Sequence, residues 1–412
     1  MSQLTAPRLP IPEPLRGAEH GSFAEQTLSV RIPNIGRRVL DDGDWSPETV
    51  AALQALIDSM PHGVIRPLQD EGAPDAADWE RYSTPYLGQT WLQVPWFFAE
   101  SYFFRRILEA TGYFQPGAGQ GVDPYATLKR QGMAATPDGL RPLCAQLDSL
   151  RTASRSSSEQ AEEAFTKLLH IAIWGNQADL SMWWSAGHEH PTRPEADRQG
   201  EYLLDDDAAQ ASGYLFSLTE QPLRMDFILD NGGLELGYDL ALADLLLGSE
   251  LVQTIWFHVK PFPTYVSDVT ARDVLDTIDF LAVVEDPCVQ DLAQRVQGYL
   301  SEQTLLMKHD YFWTSPLSGW EMPLALRHDL RQSNLIISKG DANYRRWLGD
   351  RCWTFTTPKE EVLAYLPAPL VALRVLKSEI VIGLRPHQPE ELYQKDPRWL
   401  FDGRYGVIQF IA

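Results

Sequence analysis

Four short polar clusters carry the residue types that metal and phosphoryl chemistry needs, and each follows an apolar run. The first is Asp230-Asn231-Gly232-Gly233, with Glu235 just beyond it. The second leads from Lys260-Pro261-Phe262-Pro263 to Ser267-Asp268-Val269-Thr270, and the third is Lys339-Gly340-Asp341-Ala342-Asn343-Tyr344-Arg345. The fourth holds Arg374 and Lys377. Asp230, Asp268 and the amide oxygen of Asn231 are hard oxygen donors. A set of this size suits Mg²⁺ or Mn²⁺, with water and a substrate phosphate completing the coordination. Lys377, Arg345 and Asn343 supply two cations and a neutral donor, the groups wanted around a phosphate. The glycines after Asn231 permit a tight turn and close backbone approach. The helix that begins there also offers free N–H groups to an anion.

Taken singly, each cluster has a plainer reading. Asp-Asn-Gly-Gly is commonly a turn or a helix cap. Asp268 can simply open a helix, the stretch Asp341 to Arg345 can be a helix start with a solvated face, and Lys377 can lie on the surface. The recurrence of such clusters, with complementary charges, argues for one shared site.

The elements that must position these clusters follow from apolar spacing. Leu223–Leu229, Leu251–Val259, Leu335–Ile337, Val371–Leu376, Ile380–Leu384 and Val407–Ile411 read as strands. Leu234–Leu247 reads as an amphipathic helix, Ala271–Val283 as another, and a further one starts near Asn343. This alternation predicts an α/β fold: a Rossmann-like, mostly parallel sheet with flanking helices. In such sheets ligands sit outside the carboxyl ends of the strands, so clusters from four parallel neighbours would converge. The first half predicts helices at Ser46–Met60, with Ser46-Pro47 as the start, at Trp91–Leu108 and at Ser156–Trp174. The expected organisation is an extended N-terminal arm over residues 1–35, a mainly helical domain over 36–213 and an α/β catalytic core over 214–412.

Composition narrows the function classes. The chain has 412 residues, and 35 basic against 56 acidic residues give a net charge of −21. A nucleic-acid or anionic-membrane partner is therefore not expected. No apolar run is long enough to span a bilayer, and the start lacks a secretory h-region. Cys144, Cys288 and Cys352 are widely spaced and fit neither a disulfide framework nor a CxxC site. A reducing, cytoplasmic setting is the expectation.

At these same residues the chain resembles the metal-dependent damage-control phosphatases, formerly the domain of unknown function 89 family. The branch it is most similar to includes human acidic residue methyltransferase 1 and fungal sugar-phosphate phosphatases. The similar stretches are FILDNGGLELGYDLALADLLL, FHVKPFPTYVSDVT, LIISKGDANYRRWLGDR and LRVLKSEIVIGL, with Trp91–Leu108 and Ile173–Ser181 also familial. The resemblance implies that Asp230, Asn231 and Asp268 hold a divalent metal: Mn²⁺ or Mg²⁺, with Co²⁺ and Ni²⁺ as further candidates. It implies that Asp341, Asn343, Tyr344, Arg345 and Lys377 contact substrate. It brings in Glu235, Arg374, Asn176 and Asp179 as weaker candidates. The branch carries an Arg-Thr-x-Lys signature. Here the run is Arg374-Val375-Leu376-Lys377, so both cations are kept and a hydroxyl is lost.

The expected function is metal-dependent hydrolysis of sugar phosphates, such as fructose 1-phosphate or fructose 6-phosphate, in a damage-control role. Asp230, Asp268 and Lys377 would carry catalysis. Metal-activated water and direct attack by an aspartate both stand as routes, and the Asp-x-Asp signature of aspartyl-phosphate enzymes is absent at Asp230. One alternative is an S-adenosylmethionine-dependent carboxyl methyltransferase acting on protein glutamates, with Glu235 at the cofactor. Another is a non-catalytic binding protein. Against the first stands the lack of a GxGxG loop after a strand, and against the second the completeness of the polar set. Among other polar groups, His188-Glu189-His190 is spaced poorly for a shared ligand. Asp205-Asp206-Asp207 reads as a solvated acidic loop, and His258 as a core or near-site residue. Glu100 and Arg105 read as a buried ion pair or a pocket wall.

Overall fold

A computed structural model describes residues 5–175, 200–219 and 221–412. Asn176, Asp179 and His188-Glu189-His190 lie outside the described residues. Seven strands form one sheet: β1 Leu203–Asp206, β2 Arg224–Ile228, β3 Thr254–Val259, β4 Leu305–His309, β5 Leu335–Lys339, β6 Leu370–Val375 and β7 Gly406–Ile411. Their order is β1-β7-β6-β5-β2-β3-β4. Every neighbouring pair is parallel except β6 and β7. The expected α/β class, with its mostly parallel sheet, is what the chain forms.

Side chains alternate across the sheet, as strand geometry requires. Met225 and Phe227 of β2 join Ile255 and Phe257 of β3 in one core. Ile228, Ile336 and Leu370 enter the core on the other face. The helix Leu234–Gly248 is not amphipathic as expected. Everything from Glu235 to Gly248 is buried, because helices Ala126–Ser156, Ser158–Ile173 and Pro287–Ser301 pack around it. A helix surrounded on all sides belongs inside a core, and its buried acids are paired there, Glu235 and Asp239 with Lys339 and Asp244 with Arg295.

A third core belongs to the helical region. Trp91, Trp96 and Phe103 pack there with Leu28, Ile32, Val39 and Leu53. The Ser46 start holds: its hydroxyl accepts from the Thr49 N–H at 3.2 Å, capping Pro47–Ser59. The aromatic helix runs Trp96–Ala110 and starts after Pro95 rather than at Trp91. Two elements cross the expected boundaries. Helix begins at Phe23, running as Phe23–Gln26, a π-helical Thr27–Arg31 and Ile32–Asp42. Strand β1, well before residue 214, already pairs with β7.

Ile380–Leu384 is not a strand. Its backbone groups are spent elsewhere: Ile382 N–H donates to the Tyr344 hydroxyl at 3.3 Å, and Leu384 N–H donates to the Phe355 carbonyl at 2.9 Å. Asp205-Asp206-Asp207 is not a solvated loop either. Lys359 binds Asp205 at 2.8 Å and also contacts Asp207, while Asp206 pairs with His170 at 2.8 Å.

Candidate active site

Strands β6, β5, β2 and β3 are consecutive in the sheet and parallel. The four polar clusters follow these four strands, so they meet at one edge. Backbone pairing fixes the alignment of the acids. The loop after β3 turns back and bridges the segment after β2: Val269 N–H donates to the Asp230 carbonyl at 2.9 Å and Gly232 N–H to the Ser267 carbonyl at 2.8 Å. An isolated bridge pairs Asn231 with Asp268. Asp230, Asn231 and Asp268 are thereby set side by side, all buried.

That loop turns back through unfavourable backbone. Tyr265 has φ 45° and Val266 φ 70°, the left-handed region that a β-branched residue rarely adopts. Contacts from the helical region hold it. The Tyr265 hydroxyl lies 2.8 Å from that of Ser101, and its ring packs 4.7 Å from Phe104. Gly340 answers a second constraint. It has φ +82°, and a Cβ there would lie 1.8 Å from Asp230 Oδ2, so only glycine lets β5 end against this carboxylate.

The amide of Asn231 is oriented by three neighbours. Its Nδ2 donates to Asp230 Oδ2 at 2.7 Å and to Glu235 Oε2 at 3.0 Å. Its Oδ1 accepts from Ser267 at 2.6 Å, which leaves that oxygen a second lone pair. Glu235 therefore stands behind Asn231. Below them, Lys339 reaches Asp239 at 2.6 Å and Glu235 at 3.5 Å. Two buried carboxylates share one cation there. Burial, with the like charge of Glu235 and against the pull of Lys339, pushes Asp239 up to about 7.

The cleft has two walls. The α/β wall comprises Asp230, Asn231, Asp268, Asp341, Arg345 and Lys377. The helical region supplies Arg31, Trp96 and Glu100, and Tyr265 also lines the cleft. Arg345 joins the walls. It binds Asp350 at 2.8 and 3.1 Å and Glu100 at 2.5 Å, and its guanidinium lies 3.7 Å over the Trp96 ring. Burial disfavours its charge, yet Asp350 and Glu100 hold its pKa well above the ordinary value. Burial raises the pKa of Glu100 despite Arg345 and Arg31.

The other expected residues are placed one row back. Asn343 Nδ2 donates to the carbonyls of Leu229 and Lys339, at 3.2 and 2.8 Å, tying β2 to β5. The Tyr344 hydroxyl donates to Gln409 at 2.8 Å, inside the core. Neither residue is among those lining the cleft; the Asn343 amide nitrogen and the Tyr344 hydroxyl donate to oxygens of the core instead. Arg374 binds Asp341 at 2.8 Å and Ser378 at 2.7 Å, and Ser378 also donates to Asp341 at 2.9 Å. These contacts tie the helix start at Asp341 to the turn carrying Lys377. Burial opposes ionisation of Asp341, but Arg374 and Arg345 hold its pKa below the usual carboxylate range. Arg105 does not pair with Glu100. It binds Asp75 at 2.8 Å and Asp70 at 2.9 Å.

Arg31, Trp96 and Tyr265 were missed from the sequence. The helical spacing of Ala24, Leu28, Ile32, Ile35 and Val39 was a usable signal for the helix that carries Arg31. Prolines at the start of the chain concealed it.

A second acid cluster lies on the sheet itself. Asp226, His258 and Asp329 bring one ligand atom each within 4.8 Å of one another. Both carboxylates already have cations. Arg224 grips Asp226 at 2.7 and 2.8 Å and reaches Asp329 at 3.1 Å, and Lys308 also binds Asp329. His258 Nε2 lies 2.8 Å from Asp226, and burial lowers its pKa. With a neutral imidazole, two acids and two bases cancel, so a dication would have to displace the arginine and lysine. At the strand ends the donor set of two carboxylates and an amide oxygen fits a hard divalent ion; Asp268 has Lys260 beside it at 3.3 Å, and Gly340 leaves the Asp230 carboxylate room that a Cβ would fill.

A mostly parallel α/β sheet with an acid-and-cation cleft at its strand ends defines the class. The chain belongs to the damage-control phosphatase ARMT1-like family, whose domain model matches residues 27–392. It is 31% identical to rat damage-control phosphatase ARMT1 (Rattus norvegicus), with 96% of this chain and 98% of that protein covered. The Danio rerio protein of that name is 32% identical over 97% of each chain, and the Homo sapiens one 30% over 97% of this chain and 98% of its own. A crystal structure of a DUF89 family protein from Pyrococcus horikoshii aligns over 92% of this chain and 95% of that one, with a TM-score of 0.45 at 12% identity.

Proposed function

We propose that this chain is a divalent-metal-dependent phosphatase acting on sugar phosphates. The observation that carries the reading is the meeting of Asp230, Asn231 and Asp268 with Lys377 and Arg345 in one cleft, from four adjacent parallel strands. Asp230, Asn231 and Asp268 would hold Mn²⁺ or Mg²⁺, which supplies Lewis-acid polarisation of a phosphoryl oxygen. Lys377 neutralises charge on the remaining phosphoryl oxygens as the ester bond breaks, and Arg345, bound to Asp350 and Glu100, holds the two cleft walls together beside it. Asp341, through Ser378, keeps the Lys377 turn in register with the helix that carries Arg345. Glu235 and Ser267 hold the Asn231 amide with its oxygen available. The buried setting strengthens each of these contacts.

Cys144, Cys288 and Cys352 are free, which supports a cytoplasmic setting. Among the described residues no helix is long and apolar enough to cross a membrane. The test is phosphate release from a panel of ketose and pentose phosphates with Mn²⁺, Mg²⁺, Co²⁺ or Ni²⁺, and with excess chelator. Turnover that chelator abolishes and metal restores is expected. Folded protein that releases no phosphate with any metal would overturn the reading.

A further inference from the structure

Arg31 enters the cleft from an unusual backbone. It ends the π-helical turn Thr27–Arg31 between two α-helical segments, and such turns recur at functional sites. The short helix Phe23–Gln26 that leads into the turn is anchored at its start. The carboxylate of Glu379 accepts the N–H groups of Phe23 at 2.8 Å and Ala24 at 3.4 Å, where the helix has no partners of its own. Phe23 stacks on Phe401 at 4.6 Å. Glu379 lies two residues beyond Lys377, so one short loop both supplies a cleft cation and clasps the helix bearing Arg31.

Resting on the phosphatase reading, we propose that Arg31 and Glu100 select the leaving group as a neutral polyol, and that Glu379 positions Arg31. The α/β wall already provides for the phosphoryl end. Arg31 and Glu100 come instead from the helical region and share the cleft; Oε2 of Glu100 accepts from Arg345, so its other oxygen is the one assigned to the polyol. A guanidinium donates to hydroxyl oxygens and a carboxylate accepts from hydroxyl protons, so together they match adjacent hydroxyls. A second phosphate on the substrate would meet the like charge of Glu100 and Asp341, which selects against bisphosphates. Removing a site's polar partners leaves substrate hydroxyls unsatisfied, so discrimination falls more than general reactivity does.

The test compares kcat/KM of the full-length enzyme for fructose 1-phosphate, fructose 1,6-bisphosphate and p-nitrophenyl phosphate, whose leaving group has no hydroxyl beyond the ester. Native enzyme should prefer the monophosphate sugar to the bisphosphate. In Arg31→Ala the ratio of fructose 1-phosphate to p-nitrophenyl phosphate should fall by about ten- to a hundred-fold, mostly through KM. Arg31→Lys should recover part of that ratio, and Glu379→Gln should lower it in the same direction by a smaller factor. A ratio unchanged in Arg31→Ala would overturn the assignment. Should that variant not fold, an unchanged ratio in both Arg31→Lys and Glu379→Gln would do so. Preference for the bisphosphate would overturn the polyol reading. Native enzyme inert toward all three esters would instead sink the phosphatase reading, and this proposal with it.

Discussion

Asp226 and Asp230 are four residues apart, about 13 Å along an extended chain, and both are buried acids, the first clustered with His258 and Asp329 and the second beside Asn231. They serve different ends. Asp226 points into the body of the sheet, where Arg224 and His258 consume its oxygens. Burial alone would raise its pKa, and those hydrogen bonds bring it below the ordinary value. Asp230 emerges at the strand end, aligned with Asn231 and Asp268 on a cleft that Lys377 also lines. Residue types and burial do not tell a metal site from an ion-pair lock. What distinguishes the two places is position: Asp226 lies within the sheet with its oxygens on Arg224 and His258, whereas Asp230 and Asp268, the latter also 3.3 Å from Lys260, line a cleft at the strand ends.

The contrast can be broken most directly by paired substitutions. Asp230→Ala should lower kcat/KM by about 10³-fold or more, the scale of removing a main transition-state contact. Asp226→Asn should change it by no more than a few-fold. Its effect should fall on stability, by about 3 kcal/mol, because Arg224 would lose a buried partner. Chemical denaturation read beside steady-state kinetics checks both. Gly340→Ala should cost activity nearly as heavily, since its Cβ would overlap the Asp230 carboxylate, and the positive φ adds about 1 kcal/mol or more of strain. A Gly340→Ala enzyme with native activity would contradict the close packing of β5 on Asp230.

Glu235→Gln sharpens the comparison at the next level. It keeps the shape but changes what faces Asn231 Nδ2, so metal affinity should fall by about 10- to 100-fold with the protein still folded. The smallest effect concerns Asp239. Its folded pKa, about 7, lies above the ordinary carboxylate value. Its contribution to stability is therefore complete below about pH 4 and is lost as pH rises through about 7. Asp239→Asn should flatten the decline in Tm between those limits. An unchanged pH profile in the variant would contradict the raised pKa of Asp239.

Legibility in the sequence followed the strength of local signals. β2, β3, β5 and β6 are flanked by polar clusters and packed on both faces, so their apolar runs stood out. Edge strands β1 and β4 did not. Leu203–Asp206 ends in acids, and Leu305–His309 is mostly half-buried, so neither shows a continuous apolar run. The helix Ala126–Ser156 carries Pro137 and Pro142 inside it, which conceals its length. Ile380–Leu384 has the composition of a strand but pairs with a tyrosine hydroxyl and loop carbonyls instead. For the site, residue types marked the α/β wall because its clusters are contiguous. Direction was not legible: nothing in the stretch Asp341 to Arg345 says that Arg345 faces the cleft while Tyr344 faces Gln409. The helical wall is assembled from Arg31, Trp96 and Glu100, far from the strands in sequence, so only tertiary packing brings it there.

The most direct measurement is a calorimetric titration of Mn²⁺ into the metal-stripped full chain and its Asp230→Ala and Asp226→Asn variants. Saturable binding kept in Asp226→Asn and lost in Asp230→Ala is the predicted result. Binding that survives in Asp230→Ala and disappears in Asp226→Asn would contradict the account, and would move the metal from the strand ends to the flank of the sheet.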